Sequence, residues 1–88
     1  MYPYIKFDDE TEVTYSNIIE KDGVDTVQIH FERPKEYGFD TARCELPSFR
    51  WLIKEGYQDY EIKYFEEFLK NNVHLFFKYS KLEKNTSI

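Results

Sequence analysis

The sequence predicts an α+β fold, in which a small antiparallel sheet of three to four strands in the N-terminal half is packed by a short helix and a long C-terminal amphipathic helix. Three observations predict it. Apolar residues alternate with polar ones over much of residues 11–46, they recur at helical spacing after residue 58, and 88 residues bury enough surface for one core only. We therefore expect a single domain over residues 1–88, with an ordered core over residues 4–80 and a frayed tail over residues 81–88.

Two neighbouring strands joined by a hairpin are the most direct prediction. In the segments TEVTYSNIIE and VDTVQIHFER, the apolar side chains expected on one face are Val13, Tyr15, Ile19, Val27, Ile29 and Phe31. The segment KDG lies between them and indicates a tight turn, because Asp and Gly tolerate positive φ. The two segments should therefore pair in an antiparallel manner.

Two further strands are expected on either side of this hairpin. The segment TARCELP alternates again, with Ala42, Cys44 and Leu46 directed inward, and Pro47 ends it. The first eight residues, MYPYIKFD, are compatible with a short edge strand that begins near Pro3.

Two helices complete the predicted fold. Ser48 is an N-cap candidate for a short helix over FRWLIKE, and Asp59 is one for the long helix. The predicted apolar face of the long helix comprises Ile62, Phe65, Leu69, Asn72, Phe76 and Tyr79. The β-propensity of residues 71–79 leaves a strand open as an alternative there, although we favour a continued helix.

Charge is concentrated in the first third of the chain. The whole chain has a net charge of −5, and residues 1–31 hold two lysines against seven acidic residues. The principal members of this acidic pole are Asp8, Asp9, Glu10, Glu12, Asp22 and Asp25. Such a field disfavours non-specific DNA binding, and a solvated surface is its simplest interpretation.

The sequence contains no motif for a cofactor, a metal site or a membrane span. Three Cys and His residues are too few and too dispersed for structural zinc, and no phosphate-binding loop is present. No secretory signal is recognisable and a single cysteine forms no internal disulfide, so we expect a cytoplasmic protein without cofactor or metal.

Cysteine catalysis is the enzymatic option that needs testing. Cys44 shares the phase of Ala42 and Leu46, whereas His30 points to the face opposite Ile29. The two side chains are therefore expected on opposite faces of the sheet, with Cys44 buried and structural. We predict no catalytic residues.

One group of residues suits recognition. Arginine forks and aromatic rings are typical of sites for carboxylates, phosphates or bases, and the candidates are Arg33, Tyr37, Phe39, Arg43, Arg50 and Trp51. Local ion pairs of these arginines with Glu32, Glu36 and Glu45 are the favoured alternative.

The segments FERPKEYGFDTARCELPSFRW and NNVHLFFKYSK resemble those of a group of small bacterial proteins of unknown function that are often associated with mobile elements. The likeness spans residues 12–80. It implies a small single-domain bacterial protein in the cytoplasm, and it transfers no catalytic or binding residue.

The function expected from these observations is a non-enzymatic interaction with a protein partner or with a second copy. The excess of aromatic residues, 19% of the chain, supports it because a small core cannot enclose them all. Two alternatives remain. The first is an inhibitor whose acidic pole mimics nucleic acid, and the second is a toxin ribonuclease that uses Arg33, Arg43, His30 and a tyrosine.

Overall fold

The computed structural model describes the backbone of residues 1–86 and the side chains of residues 1–83. Within these residues the chain forms one antiparallel sheet and one long helix, a small α+β domain as predicted. The elements are β1 (Tyr2–Lys6), β2 (Glu12–Tyr15), β3 (Ile19–Lys21), β4 (Val24–Lys35), β5 (Gly38–Leu46), β6 (Arg50–Glu55) and α1 (Asp59–Thr86). The six strands exceed the three to four that the sequence predicted.

Strand β4 organises the sheet. The strand order is β1-β2-β4-β5-β6, and β3 also pairs with β4. The predicted hairpin is confirmed at residues 21–24, where Asp22 and Gly23 have φ values of 52° and 79°. Since β4 is 12 residues long, it pairs with both β2 and β3, one after the other.

The single predicted strand over residues 11–20 is divided in the structure. Ser16 interrupts it, because its N–H donates to the Gln28 carbonyl and its hydroxyl accepts from the Gln28 N–H. The register consequently shifts by one residue, from Tyr15 opposite Ile29 to Ile19 opposite Thr26. The prediction that Ile19 shares the buried face with Tyr15 was therefore wrong, and Ile19 is exposed.

The predicted short helix after Ser48 was also wrong. This segment is β6, which pairs with the free side of β5 from Glu45 opposite Arg50 to Thr41 opposite Glu55. A helix of so few residues has little stability of its own, whereas a strand here gains ladder hydrogen bonds and directs Trp51 toward the core.

The predicted continuation of the long helix is confirmed. Helix α1 passes through residues 71–79 and reaches Thr86, and residues 87–88 lie outside the described part of the chain. Its first intrahelical bond runs from the Ile62 N–H to the Gln58 carbonyl, and the Gln58 N–H donates to Glu61 Oε1 at 3.0 Å. Gln58 is therefore the N-cap, one residue before the predicted Asp59.

The core lies between α1 and one face of the sheet. Phe31 stacks on Phe65 with ring centroids 4.2 Å apart, and the ring centroids of Tyr4 and Phe76 are 4.3 Å apart. The buried apolar side chains are Val13, Tyr15, Val27, Ile29, Phe31, Ala42, Cys44, Leu46, Ile62, Phe65, Leu69 and Phe76. The other face of the sheet has no described helix on it and is largely polar, the usual arrangement for an antiparallel sheet.

Asn72 interrupts the apolar stripe of α1 without leaving a buried polar group unpaired. Its Oδ1 accepts from the Tyr4 hydroxyl at 2.7 Å, and its Nδ2 donates to the Phe68 carbonyl at 2.8 Å. Tyr79, predicted on the same face, is instead 37% exposed at its edge. The helix is 28 residues long, and no helix in the described part of the chain has the length and apolar character needed to cross a membrane.

Gly56 provides a test of the connection between β6 and α1. Its φ is +90°, and a Cβ at this position would collide with the Asp40 carboxylate. We expect Gly56→Ala to lower the free energy of unfolding by about 3 kcal/mol, because backbone strain is added to the displacement of a buried carboxylate. Urea unfolding measures this change.

Gly23→Ala is the matched control for this prediction. Gly23 also has positive φ, +79°, but nothing lies within 4 Å of an added Cβ. Its expected cost is about 1 kcal/mol, from backbone strain alone. Equal losses in the two variants would show that the contact with Asp40 is unimportant.

Candidate functional site

Arg33 connects three parts of the fold. Arg33 is two residues after Phe31 on β4, so its side chain lies on the same face of the sheet, the face that packs on α1. Its guanidinium donates to Asp9 in the β1–β2 turn at 2.8 Å, to Asp40 on β5 at 2.7 Å and to Glu61 on α1 at 2.6 Å. It also lies over the Tyr57 ring, with Cζ 4.7 Å from the ring centroid. Arg33 is thus held within the protein rather than presented to a ligand.

The interactions around Arg33, which we call the Arg33 network, shift the pKa values of Arg33, Asp40 and Asp9. Hydrogen bonds to Glu61 and Asp40 raise the pKa of Arg33 against the opposing effect of desolvation. Hydrogen bonds from Arg33 and Lys35 lower the pKa of Asp40. For Asp9, desolvation raises the pKa, but hydrogen bonds from Thr11 and Arg33 outweigh it and the pKa is lowered. Arg33, Asp40 and Asp9 are therefore charged at neutral pH.

The other two candidate arginines lie on the opposite face of the sheet. Arg43 donates from Nε to His30 Nδ1 at 3.3 Å and from Nη1 to Gln28 Oε1 at 3.4 Å, and no described carboxylate forms an ion pair with it. Arg50 lies 3.7 Å from Glu45, one of the predicted local partners. Neither arginine shares a surface with Arg33.

The candidate aromatic residues are dispersed as well. Tyr37 and Phe39 are 89% and 55% exposed at the β4–β5 hairpin. Trp51 lies on the core side of β6, where its indole N–H donates to Glu66 Oε2 at 2.9 Å. Along the outer face, Phe39 is about 13 Å from Arg43 at the usual rise of a strand. The six predicted residues therefore form no single site.

The acidic pole is divided between the two ends of β4. Asp8, Asp9 and Glu10 lie in the β1–β2 turn with Glu12 beside them, whereas Asp22 and Asp25 lie at the β3–β4 hairpin; Glu12 is opposite Glu32. Positions 25 and 32 of β4 are about 23 Å apart at the rise of a strand. Two of the carboxylates are also ion-paired, Asp9 with Arg33 and Glu10 with Lys6.

Cys44 and His30 lie on opposite faces, as the sequence predicted. Cys44 faces the core opposite Ile29, and His30 is opposite Arg43 on the other face. Burial, with the nearby Glu66 and Glu45, raises the pKa of the Cys44 thiol to about 12. Both ring nitrogens of His30 have partners, Arg43 and Glu32, and the described residues contain no cluster suited to a metal ion.

A groove lies between β1 and the first turns of α1. Its volume is about 660 Å³, and Phe7 and Phe65 form its apolar floor. Its exposed apolar side chains are Ile5 at 48%, Tyr60 at 73% and Tyr64 at 60%. We call it the tyrosine groove. Large rings held at the rim of an apolar floor are typical of protein contact sites.

The packing of Phe7 shapes the tyrosine groove. The centroid of its ring lies 5.7 Å from that of Tyr64 and 6.1 Å from that of Phe65, so the segment that directly follows β1 packs on α1. Arg33 and Glu61 close one end. The sequence signal that indicates this surface is the spacing of Tyr60 and Tyr64, which lie one turn apart and off the apolar stripe; the predicted recognition residues did not include them.

The edge of β1 is poorly suited to pairing with another strand. The strand contains Pro3, has a register shift between Pro3 and Ile5, and ends at Lys6. Proline, bulges and lysine are the features that keep edge strands from adding a partner. Contact at this edge should therefore use the side chains of the tyrosine groove rather than backbone hydrogen bonds.

Comparison with known proteins finds no match to a family model, a curated protein or a solved structure. Function must therefore be argued from the geometry of the chain itself.

Removal of the Arg33 guanidinium should destabilise the fold. Arg33→Ala would leave Asp40 and Glu61, whose side chains are 8% and 13% exposed, without their main cation. We expect a loss of about 3 kcal/mol in the free energy of unfolding, measured by urea titration. Arg50→Ala is the control, since the Arg50 side chain is 63% exposed, and its loss should stay below about 1 kcal/mol.

Stability should fall in acid because of the same network. The pKa values of Asp40 and Asp9 are lowered on folding, so their stabilisation is complete above the unfolded carboxyl pKa and is lost as pH falls through the folded values. Urea titrations from pH 7 down to pH 3 should show this loss in the wild type and a smaller one in Arg33→Ala. Equal pH dependence in both proteins would contradict the assignment.

Cys44 should be unreactive in the folded protein. Its thiol is buried and its pKa is about 12, so the thiolate fraction at neutral pH is very small. We expect iodoacetamide, followed by mass spectrometry, to label the native chain far more slowly than the chain in urea. Rapid labelling of the native protein would show that Cys44 is accessible.

Proposed function

We propose that this protein is a small non-enzymatic interaction module that binds a segment of a partner protein in the tyrosine groove. The observation that carries the proposal is the exposure of Ile5, Tyr60 and Tyr64 around a groove of about 660 Å³. Such a volume is typical of sites that enclose a few side chains. In the cytoplasm, a reduced and buried Cys44 would take no part.

The groove is better prepared for binding than the predicted arginine and aromatic residues. Tyr60 and Tyr64 are on α1, and Phe7, which directly follows β1, packs on Phe65 of α1, so few degrees of freedom are lost on association. Tyr37 and Phe39, in contrast, extend from a hairpin end. Exposed tyrosines on a rigid element are the side chains most enriched at the centres of interfaces.

The two alternative functions have less support. A nucleic-acid mimic needs a continuous row of carboxylates, whereas Asp8 and Asp25 lie at opposite ends of β4. A ribonuclease needs Arg33 beside His30 and Arg43, but Arg33 lies on the other face and is engaged by three carboxylates. We therefore do not propose either function.

Substitution of the groove tyrosines tests the proposal. The double variant Tyr60→Ala/Tyr64→Ala should weaken binding of the partner by at least about tenfold, because each truncated ring removes contact area at the centre of the site. Quantitative mass spectrometry of pull-downs with the wild type and the variant identifies proteins whose capture depends on the groove. Calorimetry with the purified partner then gives the change in Kd.

Tyr37→Ala is the matched control, since Tyr37 is 89% exposed and does not line the groove. It should leave the Kd unchanged. A partner that binds both variants as tightly as the wild type would contradict the proposal. Loss of a wild-type dimer in the double variant, measured by light scattering, would show instead that a second copy occupies the groove.

A further inference from the structure

The charges of the tyrosine groove are unbalanced. Its lining contains Lys6 and Arg33 against Asp8, Asp9 and Glu61. Both cations are already engaged, Lys6 with Glu10 at 3.1 Å and Arg33 with its carboxylate partners. Asp8 forms no ion pair with any described residue. The groove therefore presents negative charge that the protein does not itself neutralise.

The Arg33 network does not remove this excess. Three carboxylates, those of Asp9, Asp40 and Glu61, share the one guanidinium, and Lys35 contacts Asp40 at 3.0 Å. Asp40 and Lys35 do not line the groove and their charges cancel, so the lining itself keeps two cations, Lys6 and Arg33, against three anions. A cation of a ligand that enters here meets a net attraction, strengthened by the partly desolvated surroundings.

The tyrosine rings favour the same kind of ligand. Tyr60 and Tyr64 are 73% and 60% exposed, so parts of their ring surfaces remain free for contact. Aromatic faces attract guanidinium and ammonium groups within about 6 Å. The protein already uses this contact once nearby, where Arg33 lies 4.7 Å from the Tyr57 centroid.

We propose that the tyrosine groove is selective for a partner segment in which an arginine or lysine is adjacent to an aliphatic or aromatic side chain. The apolar side chain packs on Ile5 and Phe7, above the buried Phe65, and the cation lies between Asp8 and the tyrosine rings. This inference rests on the proposed function and specifies its ligand. Charge complementarity favours a cationic segment, because the groove is negatively charged. Nucleic acid is anionic and a second copy has a net charge of −5, so both are disfavoured.

Selection from random peptides tests the inference with the intact chain. The displayed library is selected on immobilised wild-type protein and counter-selected on Tyr60→Ala/Tyr64→Ala, which removes peptides that bind elsewhere. We expect the retained sequences to be enriched in arginine or lysine next to Leu, Ile or Phe. A retained peptide is then synthesised in three forms: as selected, with its cation changed to glutamine, and with its apolar anchor changed to alanine.

Asp8→Asn measures the contribution of the uncompensated carboxylate. Fluorescence anisotropy should show an increase of about threefold to fivefold in Kd for the cationic peptide, and little change for its glutamine form. Asp25→Asn is the matched control, because it removes the same charge at the other end of β4. It should leave both Kd values near those of the wild type at physiological salt.

The outcomes separate the inference from the proposed function. Groove-dependent peptides without basic residues, or equal effects of Asp8→Asn and Asp25→Asn, would overturn the charge selectivity while the groove remained the binding site. Retained peptides that bind the tyrosine double variant equally well would overturn both. Failure to retain any peptide would overturn recognition of a linear segment, and the comparison of pull-downs would still decide whether the groove binds a protein. Circular dichroism verifies that each variant is folded.

Discussion

The ion pairs of the Arg33 guanidinium connect three segments of the fold that are distant from one another in sequence. The guanidinium joins the β1–β2 turn through Asp9, the central sheet through Asp40 and the start of α1 through Glu61. Because Arg33, Asp9 and Glu61 line the tyrosine groove, ion pairs that stabilise the fold also contribute to the shape and charge of this groove. Because three carboxylates engage the Arg33 guanidinium, it is not free to bind a ligand. The surface beside it that can bind one is the tyrosine groove.

The aromatic residues divide into two groups according to what surrounds them. Phe31, Phe65 and Phe76 stack or pack across the contact between sheet and helix, and they account for much of the core. Tyr60 and Tyr64 belong to the same helix but lie outside its buried stripe. A core enclosed by one helix and one sheet face cannot accommodate 17 rings, so the remainder must lie at the surface. Tyr60 and Tyr64 are among these surface rings and lie together beside β1, where they can contribute to binding.

The two errors in the predicted fold have one physical origin. Residues 49–55 contain apolar positions that suit a helix, and residues 11–20 alternate well enough to suit one continuous strand. In both places the outcome depends on a neighbour distant in sequence: β6 forms because β5 has a free side, and Ser16 divides the strand because it bonds to Gln28. A local sequence pattern does not indicate hydrogen-bonding partners that are distant in sequence and become neighbours only when the chain folds.

The sequence by itself determined the fold class, the KDG hairpin, the long amphipathic helix and the separation of Cys44 from His30, because each depends on periodicity or turn chemistry within a short segment. Only the tertiary structure decided where the charges and rings meet. The sequence has three arginines, at positions 33, 43 and 50. Strand phase and packing direct Arg33 toward Glu61, 28 positions away, and direct Arg43 to the opposite face of the sheet. The tyrosine groove likewise joins residues 5–9 to residues 60–65, a juxtaposition that requires the antiparallel sheet and the helix to pack first.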